Sequence, residues 1–302
     1  MANLALDLDR EFAASARAEW RRNLLGRVAI YGFLIVFAVI YLIPLFVVVA
    51  NSFRDLPEIT QNGLIAIPRS FSLKSWPIAW SHFCVSGTCE GVQRNFYNSL
   101  IMTIPATIVS TAFGAINGYV LSKWRFRGSE ALFVCMTLGV FMPGQIALMP
   151  WAFILGKLHL ANSVYGLILI HCVQGLGFTT LFCRNYYINI PDDLIKAARI
   201  DGAGFWRILY KIVLPLSPPI LIVTVIWQFT GIWNEYLFGV VFTGGREQPI
   251  TASLVALATA VMNAKAYDVT SAAVLIGAIP PLLIYFFGGK YFVRGLTAGA
   301  IK

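Results

Sequence analysis

Cysteine and histidine are the residues of this 302-residue sequence best suited to hold a metal or form a cross-link, and their spacing limits what they can do. Cys84 and Cys89 stand as C-x4-C. A tetrahedral zinc site would need two further ligands close by, and only His82 is near. If that segment faces an oxidising side, a disulfide is the expected fate rather than two free thiols. Cys135, Cys172 and Cys183 fall in or beside apolar runs, where a thiol serves as a small packing group. His82, His159 and His171 are too scattered to gather a metal, and no two are placed to hold haem between helices. No G-x4-GK[ST] stretch is present, so a phosphate loop for ATP is missing. No serine carries a nucleophile motif. The expectation is a chain with no catalytic residue, no metal and no cofactor of its own.

A second group could handle an uncharged polar solute. Asn117, Gln145, Gln174, Gln228, Asn234 and Glu235 lie within apolar runs or at their ends, with Trp227, Trp233 and Tyr236 beside several of them. Amides and aromatic faces suit the passage of such a solute. Hydrogen bonds between packed helices would use the same residues equally well.

The elements that must position these groups follow from composition. Hydrophobic residues make up 58% of the chain and charged ones 12%, too few charges to clothe a soluble globule of this size. Windows free of Asp, Glu, Lys and Arg run 28–53, 95–122, 131–156, 158–183, 212–234 and 269–289. A helix needs about 20 apolar residues to cross a bilayer, so six spans are expected in an all-α membrane protein. Pro44, Pro105, Pro143 and Pro150 fall inside these windows, where neighbouring helices can satisfy the freed carbonyls. The segment 1–27 carries charges of both signs and has no small-residue cleavage site, so it is expected to stay as an inner N-terminal segment.

The net charge of +9 is spread in short blocks between apolar runs and forms no nucleic-acid-binding face. Of the 23 Lys and Arg, 16 fall on one side: the N-terminal segment, the loop with Lys123, Arg125 and Arg127, the stretch from Arg184 to Lys211, and the C-terminus. That side is cytoplasmic by the positive-inside rule, with both termini inside. The expected layout is an inner segment 1–27, a six-helix domain 28–293 and an inner tail 294–302. Outer loops fall at 54–94 and 242–268, and an inner loop at 185–211.

The inner loop has physics of its own. Pro191, Asp192 and Asp193 make a helix start, and Leu194, Ala197, Ala198 and Asp201 fall on one narrow face with two alanines at its centre. Gly202 suits the left-handed position that ends a helix. A second amphipathic segment, 205–214, leads to Pro215. Physics alone gives an amphipathic hairpin at the inner surface, of a kind many membrane proteins have.

The spacing says more. Ala197-Ala198, three residues, Gly202, nine residues, then Ile212-x-Leu214-Pro215 resembles the EAA motif of ABC importer permeases, EAA-x3-G-x9-I-x-LP. The flanking IPDDLIKAARIDGAGFWR looks like the sugar-importer branch, and the terminal YFVRGLTAGAIK resembles the end of its MalG-like permeases. The HFCVSGTCEG loop is similar to glucose/mannose-type permeases, although an amino-acid or oligopeptide importer is an alternative within the same family. The resemblance implies a type I ABC importer permease fold in a bacterial or archaeal cytoplasmic membrane. It also implies a coupling helix (Asp192, Asp193, Leu194, Lys196, Ala197, Ala198, Asp201, Gly202) that docks on a separate ATPase, to which ATP and Mg belong. Arg294, Gly295, Thr297 and Lys302 would reach between the ATPase subunits, and Thr243, Gly244, Gly245 and Arg246 would face an extracytoplasmic sugar-binding protein. The implied assembly pairs this chain with a second homologous permease and two ATPase copies. One position departs from the family: its motif Glu is Lys196 here, so Asp192, Asp193 or Asp201 would have to replace that acid, or the ATPase must differ to match. A self-sufficient secondary transporter or channel is the competing reading. It would call for inverted repeats or an ion-coupling carboxylate deep in a span, and the windows contain no such acid.

Overall fold

The computed structural model describes residues 2–84, 89–264 and 266–298, with side chains over 26–84, 89–259 and 266–289. The chain forms α1 (Ala2–Ser52), the short α2 (Leu56–Asn62) and α3 (Ser75–Pro77), then α4 (Gln93–Lys123), α5 (Ser129–Val140) and α6 (Leu148–Lys157). It continues through α7 (Val164–Tyr187), α8 (Asp192–Ile200), α9 (Phe205–Ile208), α10 (Pro218–Trp233), α11 (Leu237–Phe242), α12 (Ile250–Ala264) and α13 (Tyr267–Ala298).

Among the described residues, four helical stretches are long and apolar enough to cross a bilayer unbroken: Gly26–Ser52 of α1, α4, α7 and Tyr267–Gly289 of α13. The other two windows are bent pairs rather than straight helices. Ser129–Val140 and Gly144–Lys157 meet at 100°, and Phe205–Leu216 and Pro218–Trp233 at 80°. Proline causes both breaks. Pro143, with ψ 131°, lacks an N–H and drives Met142 out of helical geometry. Pro215, Pro218 and Pro219 act together at the second. Pro44 and Pro105 do sit inside unbroken helices.

Two further boundaries differ from the sequence expectation. The window beginning at 158 opens with a turn in which His159 and Asn162 take φ of 57° and 55°. Helix α7 starts only after Ser163, whose hydroxyl accepts from the Tyr165 N–H at 3.1 Å. The outer loop 242–268 contains α12, whose Ile250 and Leu257 are buried against Val269, Ala272, Ala273 and Ile276 of α13. The charge-free run between Glu247 and Lys265 has only 17 residues, short of the about 20 a span needs, so the charge criterion left this apolar helix inside a loop.

The α4–α7 pair forms the centre. Ser99, Thr103, Thr107, Ser110, Gly114 and Gly118 recur at three- or four-residue steps on the buried face of α4, a stripe that lets two backbones approach in lipid. A Cβ on Gly118 would stand 2.7 Å from the Arg184 backbone nitrogen and 2.9 Å from the Cys183 carbonyl carbon. Neither atom can step aside. Gly118→Val is expected to cost about 3 kcal/mol through forced separation of the helices. The check is thermal unfolding of the purified protein in detergent; an unchanged melting temperature would contradict this packing.

Above α1, by the charge asymmetry on the outer side, a fully buried Arg54 organises the first loop. Its guanidinium donates to Asn51 Oδ1 at 2.9 Å, Gly63 O at 3.1 Å and Glu58 Oε1 at 3.0 Å. Glu58 in turn accepts from the Ser70 hydroxyl at 2.5 Å and the Arg69 N–H at 2.9 Å. The Ser70 hydroxyl first, then the Arg69 amide and the Arg54 guanidinium, hold the Glu58 carboxyl down to about 2. Its folded pKa is depressed, so the stability it lends is complete above an unfolded value of about 4.3 and is lost as pH falls towards 2. Limited proteolysis should leave the 54–72 loop protected at pH 6 and progressively open it below about 4.3. Glu58→Gln should flatten that dependence; an unaltered profile in the variant would reassign the effect.

Candidate functional site

The inner hairpin is built on a hydrophobic anchor. Ile195 of α8, Ile208 of α9 and the following Leu209 and Val213 are buried against Ala115, Tyr119, Cys183 and Tyr187 of α4 and α7. Tyr119, Trp124 and Phe205 close an aromatic cluster, with Phe205 5.0 Å from the Tyr119 ring and 5.4 Å from that of Trp124. At its end α8 turns through Gly202 at φ +78°, where the Gly202 N–H reaches Arg199 O at 3.0 Å and the Ala203 N–H reaches Ala198 O at 2.9 Å. This is the left-handed helix end that the glycine's position predicts.

The outward surface of α8 presents Leu194, Lys196, Ala197 and Asp201, whereas Ala198 is half-buried against the anchor. Only one of the two alanines therefore lies open to an approaching surface. Both N-terminal acids already have cations within this chain. Asp192 accepts from Lys123 Nζ at 2.5 Å, and Asp193 pairs with Lys196 at 3.2 Å. The hydrogen bond from Lys123, and then its charge, hold the Asp192 carboxyl below the usual carboxylate range. Arg199 lies 4.2 Å over the Trp124 ring and donates to Lys123 O at 3.1 Å. These contacts border a basic recess of about 470 Å³ between α8 and the inner end of α4.

Within the bilayer region a cleft of about 200 Å³ opens between α7 and α10. His171, Gln174 and Phe178 line it from α7, and Trp227, Gln228 and Glu235 from α10 and the turn beyond. Phe178 and Trp227 stack with centroids 5.2 Å apart and planes 12° from parallel. The Glu235 carboxylate accepts from the Phe238 N–H at 2.8 Å and the Gly239 N–H at 3.2 Å. His171 Nε2 lies 3.9 Å from Glu235 Oε2. A second cavity, of about 350 Å³, borders the proline break of the third span and shares Gln174 and Phe178 with the first.

Four of the nine sequence-designated path residues thus meet: Gln174, Trp227, Gln228 and Glu235. The other five do not line this cleft. Trp233 is buried, stacks on Phe229 and donates its indole N–H to Gly277 O at 2.9 Å, a packing role. Asn117 bridges to Thr180 Oγ1 at 3.4 Å between α4 and α7. Gln145 is exposed on the break of the third span, and Asn234 and Tyr236 are exposed beyond α10. His171 and Phe178 also line the cleft and are not among the residues designated from the sequence. In sequence a single histidine in a span reads as packing, and Phe178 differs in no way from the other apolar residues of its helix.

In the loop after α11, Thr243 is buried, Gly244 and Gly245 are half-buried, and Arg246 is exposed and paired with Glu90. The loop is pinned from below: Asn98 donates to Arg246 O at 2.6 Å, and Asn95 to Gln248 O at 2.9 Å. Cys84 and Cys89 are joined as a disulfide. Arg294, Gly295 and Thr297 lie on α13, their side chains outside the described set, and Lys302 lies outside the described residues. Among the described residues no group of His, Cys, Asp and Glu could hold a metal.

Comparison with known proteins adds a family context. The profile of the family described as "Binding-protein-dependent transport system inner membrane component" matches residues 110–297. A "probable ABC transporter permease protein" of Pyrococcus horikoshii is 46% identical over 188 residues, covering 61% of this chain and 67% of the relative. The diacetylchitobiose uptake system permease protein NgcG of Streptomyces coelicolor is 29% identical over 303 residues, covering 100% of this chain and 93% of the relative. Among solved structures, a chain from a bacterial ABC transporter involved in the import of the acidic polysaccharide alginate superposes with a TM-score of 0.74 at 20% identity. That match covers 90% of this chain and 98% of the other.

Proposed function

Because the chain belongs to the family of binding-protein-dependent ABC transporter permeases, multi-pass inner-membrane components without catalytic activity of their own, we propose that it is the MalG-like subunit of an ATP-driven sugar importer. Its translocation path forms with a second, different permease. The observation that carries this reading is the inner hairpin, where the EAA-type spacing coincides with an anchored helix that shows Leu194, Ala197 and Asp201 outward and turns at Gly202. That helix is the coupling element for a separate ATPase dimer, and the tail 294–302 reaches between its subunits. ATP binding closes the dimer, the hairpin moves with it, and the spans pass from inward- to outward-open. Sugar delivered by an extracytoplasmic binding protein at the loop of Thr243 to Arg246 enters the path and leaves inward after hydrolysis.

The identification of sugar as substrate draws on the DGA variant of the motif, the C-terminal sequence and the diacetylchitobiose relative. The loop closed by Cys84 and Cys89 resembles glucose/mannose-type permeases, so those hexoses are the first substrates to test. With Asp192 and Asp193 already paired inside the chain, Asp201, at the C-terminal end of α8, is the acid left to stand in for the motif Glu at the ATPase. The test is a mild-detergent pull-down from native membranes, with partners identified by mass spectrometry. Recovery of an ABC ATPase and a second permease is the expected result. A chain recovered alone, in symmetric copies, would favour a self-sufficient transporter instead.

A further inference from the structure

The cleft between α7 and α10 has features that helix packing does not use. His171 is 4% exposed, and its Nε2, itself out of contact with solvent, has no hydrogen-bond partner among the described residues. Leaving such a group bare in a water-poor interior is costly, so an unpartnered buried polar atom beside an open cleft calls for an explanation, and a bound group is one. The ring is held edge-on to Phe238, 6.2 Å between centroids, with Nε2 directed towards Glu235 across 3.9 Å. That gap is too long for a direct hydrogen bond and suits one bridging oxygen that bonds to both. Glu235 cannot turn away to reach His171 directly, because its two oxygens are tied to the Phe238 and Gly239 amides. Below this pair, the stacked Phe178 and Trp227 supply an aromatic wall, and Trp227 is 48% exposed. Gln174 and Gln228 add amides on either side.

We infer that this cleft is a substrate subsite in which a hydroxyl of a neutral saccharide bridges His171 and Glu235 while the apolar face of its ring lies against Trp227. The chemistry is specific. A hydroxyl both donates and accepts, so it can link the imidazole and the carboxylate, whereas a carboxylate only accepts. A uronic acid keeps hydroxyls that could make the same bridge, but it would set its negative charge against that of Glu235 in a medium of low dielectric. The subsite therefore selects neutral sugars over acidic ones. A volume of about 200 Å³ fits one ring, so longer saccharides would pass it one residue at a time. This inference rests on the sugar-importer reading.

The test uses the whole complex, with its partner permease, ATPase and binding protein, in proteoliposomes. Uptake of glucose, mannose, xylose and diacetylchitobiose is compared with that of glucuronate. Glu235→Gln keeps one oxygen for the backbone amides and removes the charge, and His171→Asn keeps a polar group but moves it out of reach. Each is expected to lower uptake of the preferred neutral sugar roughly tenfold, the loss of about one net hydrogen bond. Glu235→Gln alone should also raise the share of glucuronate admitted. If Glu235→Gln does not assemble, His171→Asn and the conservative Gln174→Asn still read the site. Neutral uptake and selectivity unchanged in assembled variants would overturn the subsite and leave the importer reading intact. A wild-type complex that takes up none of the neutral sugars would instead overturn the sugar reading itself, and the subsite with it.

Discussion

Gly202→Pro is expected to abolish ATP-driven uptake, while Gly202→Asn should retain most of it and Gly202→Val should lose most. The order follows from the backbone. Gly202 holds φ at +78°, and a proline ring fixes φ near −65°, so the turn between α8 and α9 cannot form as it stands. Proline also removes the N–H that bonds to Arg199 O at 3.0 Å. Space is not the limit, because nothing among the described residues lies within 4 Å of where a Cβ would sit. Asparagine tolerates the left-handed region and valine does not, so the series separates backbone strain from side-chain bulk. The proline costs about 3 kcal/mol or more locally, and the helix–turn–helix would lose its shape while the deeper anchor of Ile195 and Ile208 keeps the segment at the membrane. Reconstituted uptake, with co-purification of the ATPase as a second readout, measures both consequences. Normal uptake in Gly202→Pro would remove the coupling assignment from this hairpin.

The contrast between what the sequence discloses and what it hides has a physical basis. Charge-free windows report the solvent a segment faces, so the membrane character and the approximate positions of the crossing segments are legible. Whether a window is one straight helix depends on local backbone geometry. Pro44 and Pro105 sit within unbroken helices while Pro143 breaks one, and the local sign of the difference is Gly144 directly after Pro143, a turn dipeptide that charge-free windows do not register. The inner hairpin is legible because its acids, alanines and glycine follow helix-end chemistry at fixed spacing. The cleft is only half legible. Gln174, Gln228 and Glu235 stand out as polar groups in apolar surroundings. Trp233, a neighbour of equal prominence in the sequence, is buried and bonded to Gly277 on a different helix. Which side of α10 faces the cleft is set by contacts with α7 and α13, far away along the chain. Lys123 is a similar case: as one cation of a three-residue basic loop it reads as a topology signal, yet the fold buries it.

That burial leads to the other large expected effect. Lys123 ends α4, its side chain is 4% exposed, and its ammonium donates to Ile190 O at 2.6 Å and to Asp192 at 2.5 Å. Arg199, near the opposite end of α8, returns a bond to Lys123 O and lies over Trp124. Both ends of the hairpin's first helix are thus strapped to the inner end of the central span, so motion of α8 must carry α4 with it. Lys123→Met keeps the apolar stem and removes every one of the ammonium's bonds, leaving Ile190 O and Asp192 without their cation. Charge-assisted bonds of this kind are worth about 1.5–3 kcal/mol. The Asp192 half is partly solvated and counts for less, since that side chain is 69% exposed. The remaining anchor, Ile195 against Tyr187 and Cys183, is apolar and untouched, so the subunit should fold and bind its ATPase. The transmitted motion is what weakens. In proteoliposomes, sugar taken up per ATP hydrolysed should fall about tenfold in Lys123→Met, in line with the loss of charge-assisted hydrogen bonds. Lys123→Arg, which keeps the charge in a bulkier fork, should fall between the variant and the wild type. Asp192→Asn should fall less, because its side-chain oxygen still accepts from Lys123. A stoichiometry unchanged in Lys123→Met would mean that α8 drives the spans through its apolar anchor alone. Equal losses in Lys123→Met and Asp192→Asn would instead locate the coupling in the single ion pair rather than in the strap to Ile190.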